Sequence, residues 1–130
     1  MKRLKNNNTE FLYKDMTYQL IGCCYEVYNV IGYGFLEKVY CNALIEELKL
    51  NKVKTEIEVP IKVYYKDKNV GDYRADIVIE NKIILEIKAE KTYNPNHEAQ
   101  LINYLKATGF KVGYLINFGQ DKLEFKRIVN

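Results

Sequence analysis

Two short strings, Ala75-Asp76-Ile77-Val78-Ile79 and Ile83-Ile84-Leu85-Glu86-Ile87-Lys88, restrict what this chain can fold into more than any other part of it. Both are apolar runs of strand length, and both carry charge where a buried strand should not. Only one residue separates Glu86 from Lys88, so in a strand their side chains leave the same face, which Ile84 shares. A carboxylate and an ammonium on a face that begins buried cost several kcal/mol unless they are paired, hydrogen-bonded or bound to a metal.

The flanking segments read as α/β. Met16, Leu20, Cys23, Cys24, Val27 and Ile31 follow helical spacing, predicting a helix over 15–31 that Gly32-Tyr33-Gly34 stops. A second helix is expected over 35–50, with Leu36, Tyr40, Ala43, Leu44 and Leu48 as its core stripe. Strands are expected over 53–59, 61–65, 71–80 and 83–89. Pro60 interrupts the first pair and argues for an edge or a bulge there, and turns are expected at 67–69 and 81–82. Asn94-Pro95 reads as an N-cap and a first-turn proline of a helix ending at Gly109. Strands over 112–118 and 123–128 complete the order α-α-β-β-β-β-α-β-β. The helix crossing between the hairpin and the 112–118 strand favours a mixed sheet flanked by helices.

Register carries a specific demand. A two-residue turn at Asn81-Lys82 would set Asp76 opposite Ile87, on the other face from Glu86. The acids converge only if pairing shifts by one residue. A three-residue turn at 80–82, or a β-bulge near Asp76, is therefore predicted.

Length and composition fit one domain over 11–130 behind a loose stretch at 1–10. Cys23, Cys24 and Cys41 are odd in number and contain no CxxC, so we read them as reduced thiols of a cytoplasmic protein. With one histidine, His97, a zinc site is disfavoured. No apolar run reaches the ~18 residues of a membrane span, so no membrane partner is expected. A net charge of +3 neither argues for nucleic-acid binding by itself nor opposes it.

One acid from a first strand, then an acid and a lysine from the next, is the pattern of a metal-dependent phosphodiesterase. Mg²⁺ or Mn²⁺ takes hard oxygen ligands and is often held by one or two carboxylates. Asp76 and Glu86 are the expected metal ligands, with the Ile87 carbonyl as a third. Lys88 would orient the attacking water or stabilise charge at the transition state. Glu37 shares a helical direction with Leu44 and is a further acid for the site. Gln100 and Tyr104 share one helix face and would hydrogen-bond the phosphate or position Lys88. Spacing alone also fits a solvent-facing Glu86–Lys88 pair, and Gln100 and Tyr104 also fit plain packing on the sheet.

The same residues carry a family resemblance. Gly34-Phe35-Leu36-Glu37-Lys38-Val39-Tyr40 fits a GxxExxY signature. Tyr73-Arg74-Ala75-Asp76, Glu86-Ile87-Lys88, His97-Glu98-Ala99-Gln100-Leu101 with Tyr104-Leu105, and Gly113 to Gly119 follow in order. Over about 15–128 the chain resembles GxxExxY proteins, which are placed in the PD-(D/E)XK nuclease superfamily. Asp76, Glu86 and Lys88 match its D…ExK core, and Gln100 with Tyr104 matches the QxxxY of helicase-attached exonuclease domains. The chain departs from the GxxExxY pattern at Tyr28, where family members carry histidine, and at Tyr33, where they carry proline.

The resemblance implies a restriction-endonuclease-like α/β fold and a Mg²⁺- or Mn²⁺-dependent nuclease, acting on DNA ahead of RNA. Asp76, Glu86, Lys88, Glu37 and Gln100 are its expected catalytic set, and Tyr104 its substrate contact. The rival reading is a non-catalytic nucleic-acid-binding or protein-interaction module on the same fold. With no separate DNA-reading domain in so short a chain, a homodimer or a protein partner is expected to supply specificity. Lys91, Lys106, Lys111, Lys122, Lys126 and Arg127 are candidates for a basic groove.

Overall fold

The computed structural model describes residues 12–130. The stretch expected to be loose, 1–10, lies outside the described residues. Helix α1, Lys14–Ile31, buries Leu20, Cys23, Cys24 and Val27, the three- and four-residue spacing of one face. It ends at Gly32, whose N–H donates to the Tyr28 carbonyl at 2.8 Å. Helix α2, Glu37–Leu50, buries Tyr40, Leu44 and Leu48. Leu36 does not join that stripe. It precedes the first helical turn in extended backbone and is 80% exposed.

Strand β1, Thr55–Tyr65, runs unbroken through Pro60, where two strands were expected. The strand lies at the edge of the sheet, where a proline's missing N–H can lie on the unpaired side. A two-residue turn at Lys66 and Asp67, both with positive φ, leads into β2, Lys68–Ile79, one position before the expected turn. Strand β3, Ile83–Lys88, follows. Asn94 caps helix α3, Pro95–Thr108, by accepting from the Asn96 N–H at 2.9 Å, and Gly109 closes it in the left-handed region. Strands β4, Val112–Asn117, and β5, Glu124–Val129, complete the order α-α-β-β-β-α-β-β.

The sheet has five strands in chain order, β1-β2-β3-β4-β5. All pairs are antiparallel except β3–β4, made parallel by the α3 crossover. This is a mixed sheet flanked by three helices, the α/β architecture anticipated from sequence. Ile83, Leu85 and Ile87 of β3 pack into the core under α1 and α2. Ile84 packs into the core under α3, with Leu101, Tyr104 and Leu105. Alternation therefore sends Glu86 and Lys88 toward the α3 side.

Candidate active site

The β2–β3 hairpin creates the site. Its ladder pairs Ile79 with Ile83, Val78 with Ile84 and Ile77 with Leu85, leaving a three-residue turn at 80–82. Glu80 and Asn81 both adopt positive φ in that turn. Continuing this register sets Asp76 opposite Glu86, but the ladder stops one pair short. Carboxylates take the place of carbonyls there. The Asp76 N–H donates to Glu86 Oε2 at 2.9 Å, and the Ile87 N–H donates to Asp76 Oδ2 at 2.8 Å.

Strand β1 accommodates the same break. Ile57 pairs with Ile77 and Val59 with Ala75, whereas Glu58, between them, adopts φ 47° and drops out of the ladder with Asp76. Ile77 and Ile79 face the α1–α2 core, yet Ala75 packs into the α3 core. The strand thus rotates at Asp76, and this rotation turns the aspartate toward Glu86.

Glu86 is the one buried charged residue among the described residues, at 3% exposure. Desolvation, and then the Asp76 charge, push its carboxyl up to about 8, against opposing contributions from the Asp76 N–H and Lys88. Asp76 is raised as well, chiefly by burial, with the Ile87 N–H and Lys88 pulling it down. Lys88 is half-buried and forms no close ion pair among the described residues. Among those residues, no protein group hydrogen-bonds Asp76 Oδ1 or Glu86 Oε1. In a strand one residue's N–H and C=O point the same way, so the Ile87 carbonyl faces Asp76 too.

Glu37 arrives from the other side of the sheet. Gly34 takes φ 113°, a conformation glycine tolerates, and Leu36 leads into the helix that Glu37 begins. Tyr40 holds this entry in place. Its hydroxyl donates to the Gly32 carbonyl at 2.7 Å and accepts from the Phe35 N–H at 3.2 Å. Its ring stacks on Phe118 at 4.8 Å, and the Phe118 N–H donates to the Lys88 carbonyl at 2.8 Å. The three fixed letters of the GxxExxY string are thus a turn glycine, a site-facing acid and the tyrosine that fastens the turn to the end of β3. Glu37 and Asp76 line one cavity of about 470 Å³ with Lys38, Cys41 and Glu58. Burial on its inner side raises the Glu37 carboxyl, and Lys88 offsets part of this.

The other expected residues divide. Tyr104 is buried, and its hydroxyl is pushed up to about 12 by burial and then by the Glu86 and Asp76 charges. Gln100, one turn earlier, lines a larger cleft with Tyr104. Neither hydrogen-bonds Lys88. Arg127 does not belong to a basic groove: it donates to the Tyr114 hydroxyl at 2.6 Å and to the Leu12 carbonyl at 3.1 Å. Tyr28 donates to the Gln120 carbonyl at 2.7 Å, clamping the β4–β5 connection.

Three neighbours of the site escaped the sequence reading. His97 Nε2 contacts Glu90 Oε2, and both charges act on Glu37. Asn117 Oδ1 accepts from the Glu90 N–H at 3.0 Å while its Nδ2 donates to the Glu90 carbonyl at 2.8 Å. These contacts tie the segment after β3 to β4, joining positions far apart in sequence. Only Gly119, two residues after Asn117, hinted at close backbone approach there.

Among the described residues no group of three or more His, Cys, Asp or Glu side chains forms a cage for a metal ion. Two carboxylates, each with an uncommitted oxygen and each raised chiefly by burial, instead suit a hard divalent ion that retains much of its water. No helix among the described residues is long and apolar enough to cross a membrane. A family model, described as the PD-(D/E)XK nuclease superfamily, matches residues 14–128. No curated protein and no solved structure matches the chain.

Proposed function

Because this chain belongs to the PD-(D/E)XK nuclease superfamily, we propose that it is a nuclease of the GxxExxY group that requires Mg²⁺ or Mn²⁺ and hydrolyses phosphodiester bonds of DNA ahead of RNA. The observation that carries this reading is the Asp76–Glu86 arrangement, two acids from adjacent strands facing each other where the ladder ends. An exposed ion pair would need no such arrangement. The free cysteines Cys23, Cys24 and Cys41 support a cytoplasmic setting.

Asp76 and Glu86, with the Ile87 carbonyl, would hold the ion. When bound, a divalent ion neutralises charge developing on the phosphate and lowers the pKa of an attacking water. The Ile87 N–H and the Asp76 N–H fix the two carboxylates, so neither must reorient on binding. Lys88 extends from the same face as Glu86. It donates a hydrogen bond to the nucleophilic water or to a phosphate oxygen, and its ammonium stabilises the extra negative charge of the transition state. Glu37, exposed on its outer side but raised by desolvation on its inner one, accepts a proton from that water. Tyr104 remains protonated at neutral pH and donates to the phosphate. Gln100 borders the path by which the strand reaches the acids.

The test is cleavage of end-labelled linear DNA in Mg²⁺ by the wild type, Asp76→Asn, Glu86→Gln and Lys88→Met. Circular dichroism checks that each variant folds. Metal-dependent cleavage by the wild type and its loss in all three variants is expected. Equal cleavage by wild type and variants removes the reading.

A further inference from the structure

A second cleft adjoins the acids. It has a volume of about 860 Å³ and lies between the β1–β2 hairpin and α3. Tyr104 belongs to both places: it lines the cleft, and its hydroxyl feels the charges of Glu86 and Asp76. Tyr104 is thus the residue common to the cleft and to the surroundings of the acids.

Its walls differ chemically. Helix α3 contributes Asn96, Gln100 and Asn103, which recur at four- and three-residue spacing and so share one helix face. Ala99 and Ala107, on the same wall, are small. Uncharged amides both donate and accept, as the edges of unpaired bases require. The hairpin wall contributes Tyr64 and Tyr73, 61% and 49% exposed. A register shift between Val63 and Tyr64 sets the strand there, the kind of bulge that re-aims a side chain beside a site. The Tyr73 ring packs at 5.8 Å from Tyr104, so the aromatic surface continues toward the acids. Cations are few. Lys62 is already bridged to Asp72 at 3.3 Å, and Lys106 pairs with no acid among the described residues.

A duplex offers the protein a dense row of phosphates and hides its base faces, so a duplex-binding wall is built mainly from cations. A wall of exposed rings and neutral amides with one or two lysines suits the opposite case, in which bases stack on aromatics and a cation tracks the backbone. Building on the nuclease reading, we propose that this cleft takes a short run of unpaired DNA, with a base stacked on Tyr64, a phosphate at Lys106, and the strand led past Tyr104 to the acids.

The experiment measures fluorescence anisotropy of a labelled oligothymidylate and of a matched duplex, in EDTA, against wild type, Tyr64→Ala, Tyr64→Phe and Lys106→Ala. Mg²⁺-dependent cleavage of both substrates by the same proteins is measured in parallel. Tyr64 is exposed, so these variants retain the fold, which melting curves verify. Tyr64→Ala should weaken single-strand binding at least about fivefold, the lower bound for losing one stacked base. Tyr64→Phe should bind like wild type. Lys106→Ala should weaken binding and lower its salt dependence.

Unchanged single-strand affinity in Tyr64→Ala and Lys106→Ala overturns the cleft proposal, as does tighter binding of the duplex. If such proteins still cleave DNA, the nuclease reading stands without it. Tyr64-dependent binding by a wild type that cleaves nothing supports the cleft and removes the nuclease reading.

Discussion

Asp76 and Glu86 oppose each other across β2 and β3, and each carboxylate accepts the N–H that a strand carbonyl would otherwise have bonded: Asp76 N–H to Glu86 Oε2 at 2.9 Å, Ile87 N–H to Asp76 Oδ2 at 2.8 Å. The hairpin thereby gives up ladder bonds to hold two acids close together at the edge of the core. The acids repel, and burial deepens the cost. A cation between them removes both penalties, so the site is least comfortable when empty of positive charge.

That discomfort has a pH signature. Glu86 is pushed up to about 8 from an ordinary 4.5, and Asp76 is also raised. Between these limits the folded chain keeps a proton that the unfolded chain has released. Stability therefore falls as pH rises through this window and levels off above it. In EDTA, Tm should be lower at pH 8.5 than at pH 5.5, and Glu86→Gln should flatten most of the difference. A wild-type Tm that rises over the same interval contradicts the account.

Tyr40 tests the role of the turn before Glu37. Tyr40→Phe keeps the ring on Phe118 but strips the hydroxyl from the Gly32 carbonyl and the Phe35 N–H. The loss should cost roughly 1–3 kcal/mol in urea denaturation. Cleavage should fall through displacement of Glu37, while the Tm increase on adding Mn²⁺, which depends on Asp76 and Glu86, persists.

Gly119 tests the tie between the end of β3 and β4. A Cβ there would lie 2.2 Å from the Glu90 nitrogen and 2.4 Å from the Ala89 carbonyl carbon, so backbone must move. Gly119→Ala should destabilise by at least about 1–3 kcal/mol, as overpacking does. It should also lower activity, because the displaced segment carries Glu90 and follows directly on Lys88. A neutral effect on both would show that this approach is not needed.

Asn94 offers a milder perturbation of α3. Its side chain caps the Asn96 N–H at 2.9 Å, and Asn94→Ala should cost about 1 kcal/mol by thermal or urea unfolding. Gln100 and Tyr104 sit beyond the first turn, so cleavage should change little.

Much of this was legible in the residues. Burial leaves a periodic mark, which is why Leu20, Cys23, Cys24 and Val27 announced α1, and Tyr40, Leu44 and Leu48 announced α2. Requiring Asp76 and Glu86 to meet called for a three-residue turn at 80–82 or a β-bulge near Asp76, because register has a period of two, and the turn is what forms. Periodicity misled at Leu36, where the helix had not yet begun. Pro60 rightly argued for an edge, which β1 is, but it also suggested a break between two strands that the unpaired side of an edge strand does not require. Arg127 looked like a groove cation until its partners on Tyr114 and Leu12 were seen. The Asn117 tie and the Tyr64 cleft join distant segments, and the Glu90–His97 contact spans the irregular loop before α3; no periodic pattern records such meetings.

The most direct measurement is anomalous scattering from a crystal of the wild-type protein soaked in Mn²⁺. The account predicts one strong peak between the Asp76 and Glu86 carboxylates, at the ~2.0–2.2 Å ligand distances typical of a small divalent ion, and no such peak in Asp76→Asn. A wild-type map with no peak there at millimolar Mn²⁺, or with manganese bound only elsewhere, would contradict it.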